Sequence, residues 1–94
     1  MSGEPLDLET RRLKKALAVF YKLQKRNYPA EEIMPRAMEE LKLSEEEAVQ
    51  LIRDLIARGW LVSRGILTRY FFQPGKIYNF PVIVAAAGLE TLQE

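Results

Sequence analysis

The first apolar pattern of the chain repeats at steps of three and four residues. Leu13, Leu17 and Phe20 fall on one side of this repeat, and charged residues occupy most positions on the other. Such spacing is typical of an amphipathic helix, which we expect over residues 8–26. Asp7 is a suitable N-cap, since its short carboxylate can accept a bond from the first helical turn.

A second repeat predicts a helix over residues 30–41. Ile33, Ala37 and Leu41 recur at every fourth position, which places them on one helical face. Pro35 lies inside the pattern, where its ring and its missing N–H disfavour regular helix. We therefore expect an irregular first turn or a kink in this helix.

The third helix has the clearest start and end signals. Ser44 is followed three residues later by Glu47, which is the spacing of a capping box. Gly59 is expected to end the helix in the left-handed conformation, and Trp60 to contact the helix as in a Schellman motif. The sequence predicts a helix over residues 45–58, placed closely behind the second as in a helix-turn-helix.

The segment after the third helix has the composition of β-strands. Residues 60–62 and 66–72 are rich in β-branched and aromatic side chains, which favour strands. The sequence Gln73-Pro74-Gly75-Lys76 fits a type II turn, with proline second and glycine third. Such a turn would pair Phe72 with Ile77, and Phe71 with Tyr78, in a β-hairpin.

This order of elements resembles the winged helix-turn-helix superfamily. The resemblance is carried by the segment 41–47, by Leu51-Ile52 with Leu55, and by Gly59-Trp60-Leu61. It is similar to the small terminal winged-helix domains of archaeal replication proteins. The resemblance covers residues 8–80 and implies a mainly α (α+β) fold with three helices, a β-hairpin wing and a short C-terminal helix. It implies binding to nucleic acid or to protein, because a fold does not set a function.

The chain length of 94 residues allows one domain. We expect a leader at residues 1–6, a winged-helix domain at 7–81 and a C-terminal extension at 82–94. In the extension, residues 82–84 favour a strand and the alanines at 85–87 favour a helix. A helix there would pack on the first helix or form a homodimer.

The composition excludes several kinds of chemistry. The chain has no cysteine and no histidine, which removes thiol nucleophiles, the usual zinc ligands and the side chain best suited to proton transfer near neutral pH. No glycine-rich phosphate loop or metal-ligand spacing occurs. We expect no enzymatic activity, no catalytic residue, no cofactor and no metal.

Targeting and membrane signals are also missing from the sequence. The first ten residues lack a basic region followed by an apolar core. The longest apolar run, at residues 81–88, is far shorter than the ~20 residues that span a bilayer. We expect a cytoplasmic protein without membrane contacts.

Charge is unevenly distributed along the chain. Residues 1–30 carry seven Lys/Arg against three Asp/Glu, whereas residues 31–50 carry two against seven. The leading hypothesis is nucleic-acid binding in regulation, replication or transcription, with the basic first helix, the third helix and the wing as contact surfaces. Because Glu45, Glu46 and Glu47 would face phosphates, the start of the third helix is a poor reader of DNA. The candidate nucleic-acid-binding residues are Arg11, Lys15, Lys22, Arg26, Gln50, Arg53, Arg58, Arg64, Arg69 and Lys76.

The alternative hypothesis is a protein-interaction module within a replication or transcription assembly. Aromatic residues crowd the expected hairpin, and aromatic residues beside arginine are typical of protein interfaces. They would equally suit stacking on unpaired bases. We expect one alternating set to pack inward (Tyr70, Phe72, Ile77) and the other to be partly exposed (Phe71, Tyr78, Phe80). The candidate interface residues are Tyr70, Phe71, Tyr78, Phe80, Val82, Leu89 and Leu92.

Overall fold

The structure, a computed structural model, describes residues 8–93. The expected leader and the Asp7 cap lie outside this range. Within it the chain forms five α-helices and one 3-10 helix. In chain order they are α1 (Leu8–Lys25), α2 (Ala30–Leu41), α3 (Glu45–Ala57), α4 (Ile66–Tyr70), the 3-10 helix (Ile77–Asn79) and α5 (Ala86–Leu92).

The apolar faces of α1, α2 and α3 form most of the core, as their spacing predicted. Helix α1 packs against both α2 and α3, and the 3-10 helix adds its buried Ile77. Burying these side chains removes apolar surface from water, which is the main favourable term in folding. The most deeply buried large side chains of the three helices are Leu13, Leu17, Phe20, Ile33, Met34, Leu51, Ile52 and Leu55.

Both ends of α3 have the predicted geometry. The Ser44 side chain accepts a hydrogen bond from the Glu47 N–H at 3.2 Å, and the Glu47 carboxylate accepts one from the Ser44 N–H at 2.8 Å. At the other end Gly59 has a φ of 75°, and the Trp60 N–H donates to the Leu55 carbonyl at 3.0 Å. These bonds confirm the capping box and the Schellman motif.

Helix α2 continues through Pro35. Its ring is exposed. At the start of the helix the Glu32 N–H donates to the Pro29 carbonyl at 2.8 Å, the three-residue spacing of a 3-10 turn. The link from α1 turns at Asn27, which has a φ of 66°, a left-handed conformation that asparagine tolerates.

The predicted β-hairpin wing is wrong. Residues 66–70 form α4 and residues 77–79 form the 3-10 helix, so the expected pairs of Phe72 with Ile77 and Phe71 with Tyr78 do not form. Between residues 8 and 93 the only β-type pairing is an isolated antiparallel bridge between Leu61 and Val84. Over the described residues the fold is therefore mainly α without a sheet, and the wing that the resemblance implies is missing from them.

Local hydrogen bonds explain why strand-forming residues become helix here. Gly65 turns the chain with a φ of 67°, and the Thr68 hydroxyl accepts from the Arg64 N–H at 3.1 Å. Such side-chain bonds offer the backbone an alternative to a sheet ladder, and strand preference depends strongly on context. The turn at residues 73–76 does form, with Lys76 N–H donating to Gln73 at 3.0 Å, but it joins helical segments.

The segment 82–92 is extended in its first part and helical in its second, in line with the strand preference of residues 82–84 and the helix preference of the alanines that follow. Val82 and Val84 are buried in an extended stretch, and the alanine-rich part begins α5. Helix α5 packs against α1, and Gln24 of α1 accepts a hydrogen bond from the Val84 N–H at 3.0 Å.

Candidate functional site

The outward side of α1 carries a row of cations that we call the cationic face. At 100° per residue, all of its members fall within an arc of about 100°, and four of them within about 60°. Those on α1 extend over about 21 Å of helix at 1.5 Å per residue, and Arg26 continues the row in the turn directly after α1, where its N–H donates to the Lys22 carbonyl at 3.3 Å. All are exposed. The cationic face consists of Arg11, Lys15, Lys22, Lys25 and Arg26.

Two members of the cationic face contact neighbouring side chains. The Lys22 Nζ lies 2.6 Å from a carboxylate oxygen of Glu40 on α2, and the Lys25 Nζ lies 5.4 Å from the centre of the Tyr21 ring. Both groups of the ion pair are close to half exposed, so solvent screens their attraction. The face therefore keeps most of its positive charge towards solvent.

The start of α3 is covered by another part of the chain. The Glu45 carboxylate accepts a hydrogen bond from the Gly75 N–H at 2.8 Å. Partial burial raises the pKa of Tyr78 above its ordinary value of 10.0, and a hydrogen bond to Glu45 adds to the shift. Glu45, Phe72 and Pro74 are among the residues that line an open groove here. The first turn of α3 is thus acidic, and the chain around Gly75 covers part of it.

The predicted cations of α3 are held against aromatic rings. The Arg53 guanidinium lies 5.2 Å from the Phe72 ring centre, and the Arg58 guanidinium lies 5.4 Å from that of Trp60. Arg58 also donates to the hydroxyl of Thr10 at 3.0 Å.

The remaining predicted nucleic-acid contacts are scattered. Gln50 donates to Asp54 at 2.9 Å, and Lys76 lies over the Tyr70 ring at 5.4 Å. Arg64 and Arg69 are exposed beside or within α4. Only Arg11, Lys15, Lys22 and Arg26 of the predicted set share one continuous helical face.

The predicted interface aromatics do not form one exposed set. Phe80 and Val82 lie in the core, and Phe71 is half-buried with its ring edge-on to Phe80 at 5.7 Å. Tyr70 and Tyr78 are exposed. The expected alternation is therefore wrong at Tyr70, which points outward, and at Phe80, which points inward, because no strand sets a two-residue period there. Leu89 and Leu92 are half-buried in a groove between α5 and α1.

An exposed apolar surface around α4 was missed by the sequence prediction. We call it the α4 patch, and it consists of Val62, Ile66, Leu67 and Tyr70. The exposed fraction is 85% for Ile66 and 62% for Leu67. The two residues were assigned to a strand that does not form, although adjacent apolar residues after Gly65 cannot both face one side of a strand.

A small apolar cavity of about 130 Å³ lies beside the α4 patch. Val62 and Leu67 of the patch line it together with Phe80, which belongs to the core. Thr68 is the most buried polar residue of the lining. Its hydroxyl accepts a hydrogen bond from the Arg64 N–H and is hydrogen-bonded to the Ser63 hydroxyl. The cavity therefore presents a largely apolar lining to solvent.

Three comparisons with known proteins leave the family of the chain open, because no family model, no curated protein and no solved structure matches it. Within residues 8–93, no helix is both long and apolar enough to cross a membrane. Over the same range, no group of three or more Asp and Glu side chains is arranged to hold a metal ion.

Proposed function

We propose that this chain is a non-enzymatic nucleic-acid-binding protein that contacts phosphates with the cationic face of α1. The observation that carries the proposal is the alignment of five exposed cations along α1 and the turn directly after it. A row of Lys and Arg side chains releases counterions when it neutralises phosphates, and this release drives binding. Arginines at both ends, Arg11 and Arg26, can each hold a phosphate through two parallel hydrogen bonds.

The composition of the cationic face favours binding that is independent of base sequence. Between its cations the face presents the small side chain of Ala18 and no amide or carboxylate group. Adenine and cytosine edges are read by such groups, which leaves only guanine edges to Arg and Lys, and contacts of these cations to phosphates carry no direct sequence information. We therefore expect similar affinities for unrelated sequences of equal length.

The start of α3 is a weaker candidate for this contact. Its three glutamates would be repelled by phosphates, and Glu45 is already bonded to Gly75. Arg53 and Arg58, which follow on the same helix, are stacked on aromatic rings. The proposal thus keeps the predicted nucleic-acid function and places it on α1.

The decisive measurement is the salt dependence of affinity for a short duplex and a short single strand. For the triple variant Arg11→Gln, Lys15→Gln, Arg26→Gln, we expect the log–log slope on duplex to flatten by about 0.9 per lost contact. On single strands the expected change is about 0.7 per contact.

A matched triple variant, Arg36→Gln, Arg53→Gln, Lys76→Gln, removes the same charge from other surfaces and should leave the slope nearly unchanged. The proposal is wrong if the unaltered protein shows no affinity at low salt. It is also wrong if both triple variants weaken binding equally, since net charge alone would then explain the effect.

A further inference from the structure

We infer that the α4 patch is a docking site for an acidic segment of a partner protein that inserts one apolar side chain into the adjacent cavity. This surface shares no residue with the cationic face, so the inference is independent of the proposed nucleic-acid contact. It rests on three properties of the surface, which are its exposed apolar residues, its cavity and its charge.

The exposed apolar residues are too large to be explained as incidental surface. Ile66 and Leu67 are adjacent and are exposed by 85% and 62%, and Tyr70 lies one turn further along α4. Contiguous exposed apolar side chains rimmed by polar groups mark interaction sites on folded proteins.

The patch is held in place before any partner arrives. At the start of α4, the buried Thr68 hydroxyl accepts from the Arg64 N–H at 3.1 Å and lies 3.2 Å from the Ser63 hydroxyl. At its end, the Phe71 ring packs edge-on against the buried Phe80 at 5.7 Å. A preorganised surface loses less conformational entropy on binding, and affinity benefits accordingly.

The cavity determines what the partner must offer. Its volume of about 130 Å³ is close to the ~150 Å³ of apolar cavities that accept benzene, so a single leucine or phenylalanine side chain fits it. Interfaces concentrate binding energy in such anchors, which enter well-packed pockets. A membrane surface has no side chain to place there, and this favours a protein partner.

The charge around the cavity favours an acidic partner. The residues that line it include one cation, Arg64, and no carboxylate, and a second cation, Arg69, is exposed on α4. Opposite charges at the rim raise association rates and select among partners. Aspartate or glutamate residues beside the inserted side chain would meet these two arginines.

The test uses the full chain and two synthetic peptide libraries. Every member of the first library has a central leucine or phenylalanine flanked by Asp and Glu, and the second replaces these by Asn and Gln. We expect the acidic library to shift the backbone amide NMR signals of Val62, Leu67, Phe71 and Ile83. The double variant Ile66→Ser, Leu67→Ser should weaken binding about tenfold or more.

Matched variants separate the two parts of the inference. Arg64→Gln with Arg69→Gln should remove the preference for the acidic library while leaving the apolar contact. Leu8→Ser removes an equally exposed leucine from α1, where 82% of Leu8 is exposed, and should have no effect. Ile66→Ser with Leu67→Ser should leave nucleic-acid affinity unchanged. A failure of the inference about the α4 patch is therefore distinguishable from a failure of the proposed function.

Four results would overturn the inference. One is that no peptide shifts the cavity signals, and another is that both libraries bind equally. A third is that the chain binds vesicles of anionic lipid and that the Ile66→Ser, Leu67→Ser variant does not, because the surface would then be a membrane contact. The fourth is a concentration-dependent dimer in sedimentation that the same variant abolishes, because a second copy would then occupy the patch.

Discussion

Glu45 accepts the backbone N–H of Gly75 at 2.8 Å, and this bond attaches the turn at residues 73–76 to the first turn of α3. The same carboxylate also contributes to the raised pKa of Tyr78, after the effect of burial. Two segments separated by 30 positions in the chain are thereby joined by one side chain. The contact also fixes the surroundings of the α3 tip, which in many helix-turn-helix proteins is the part that reads DNA.

We predict that Glu45→Ala releases this turn from α3. A lost hydrogen bond of this kind costs about 0.5–1.5 kcal/mol, and the Gly75 amide should exchange its hydrogen faster. Urea unfolding and hydrogen exchange measure the two effects. Glu46→Ala removes the neighbouring exposed charge as a control and should leave Gly75 exchange unchanged; equal acceleration in both variants would show that the bond does not hold the turn.

The capping box of α3 should make stability depend on acid pH. Hydrogen bonding to Ser44 lowers the pKa of Glu47 below its ordinary value of 4.5. A carboxyl whose pKa is depressed on folding stabilises the fold above its unfolded pKa, and this contribution is lost as pH falls through the folded pKa. In Glu47→Gln, the unfolding midpoint should therefore fall less on acidification than in the unaltered protein.

Ser44 supplies the other half of the same cap. Replacing a serine N-cap with alanine costs about 1 kcal/mol, so Ser44→Ala should lower the urea midpoint at neutral pH. Glu46→Ala changes an exposed residue of the same first turn that takes no part in the capping box and serves as the control. A Ser44→Ala protein that retains the full acid dependence would show that Glu47 is stabilised by something other than Ser44.

Alanine variants of Phe80 and Tyr70 should differ in stability, because Phe80 lies in the core and Tyr70 at the surface. Phe80 is 2% exposed and Tyr70 is 47% exposed. Truncating a buried phenylalanine to alanine costs about 3–5 kcal/mol, so Phe80→Ala should be strongly destabilised. Tyr70→Ala should lower the midpoint much less, because about half of this residue is already exposed to water. Similar urea midpoints for the two variants would contradict the burial described here.

Residues that act through local signals were predicted correctly. The Ser44–Glu47 spacing and Gly59 each specify a conformation that depends on only a few neighbouring residues, and each has the expected geometry. The cationic row of α1 was also visible, because a helical period of 3.6 residues follows directly from sequence spacing.

The segment from Ile66 to Phe80 could not be predicted in the same way. Its strand-forming composition is overridden by the Thr68 side-chain bonds and by the packing of Phe71 and Phe80. The Thr68 bonds are local, but the contact of Phe71 with Phe80 forms only when the chain folds back on itself, and β-preference is sensitive to such packing. The α4 patch was missed for the same reason, since the exposure of Ile66 depends on a helix that only the fold defines.

Gly88 is a position where a single methyl group should be costly. A Cβ built on Gly88 would lie 2.5 Å from the Trp60 carbonyl oxygen and 3.0 Å from a methyl group of Val84. Neither the backbone carbonyl nor the buried valine can yield easily, and overpacking of this kind costs about 1–3 kcal/mol. Gly88→Ala should lower the unfolding midpoint, whereas Ala87→Ser, which enlarges an exposed neighbour, should not. A Gly88→Ala protein of normal stability would mean that α5 does not approach Trp60 this closely.

The ion pair between Lys22 and Glu40 gives a second way to test the nucleic-acid contact. Both groups are nearly half exposed, so Glu40→Gln should change stability by less than about 1 kcal/mol. It should, however, leave Lys22 able to contact a phosphate, which would steepen the log–log salt slope by about 0.9 on duplex. Glu39→Gln makes the same change of charge one residue away on α2 and should raise affinity less. If Lys22→Gln cancels the gain in affinity from Glu40→Gln but not the gain from Glu39→Gln, Lys22 and Glu40 act as a pair. If Glu40→Gln and Glu39→Gln give equal gains whether or not Lys22 is present, the phosphates bind elsewhere.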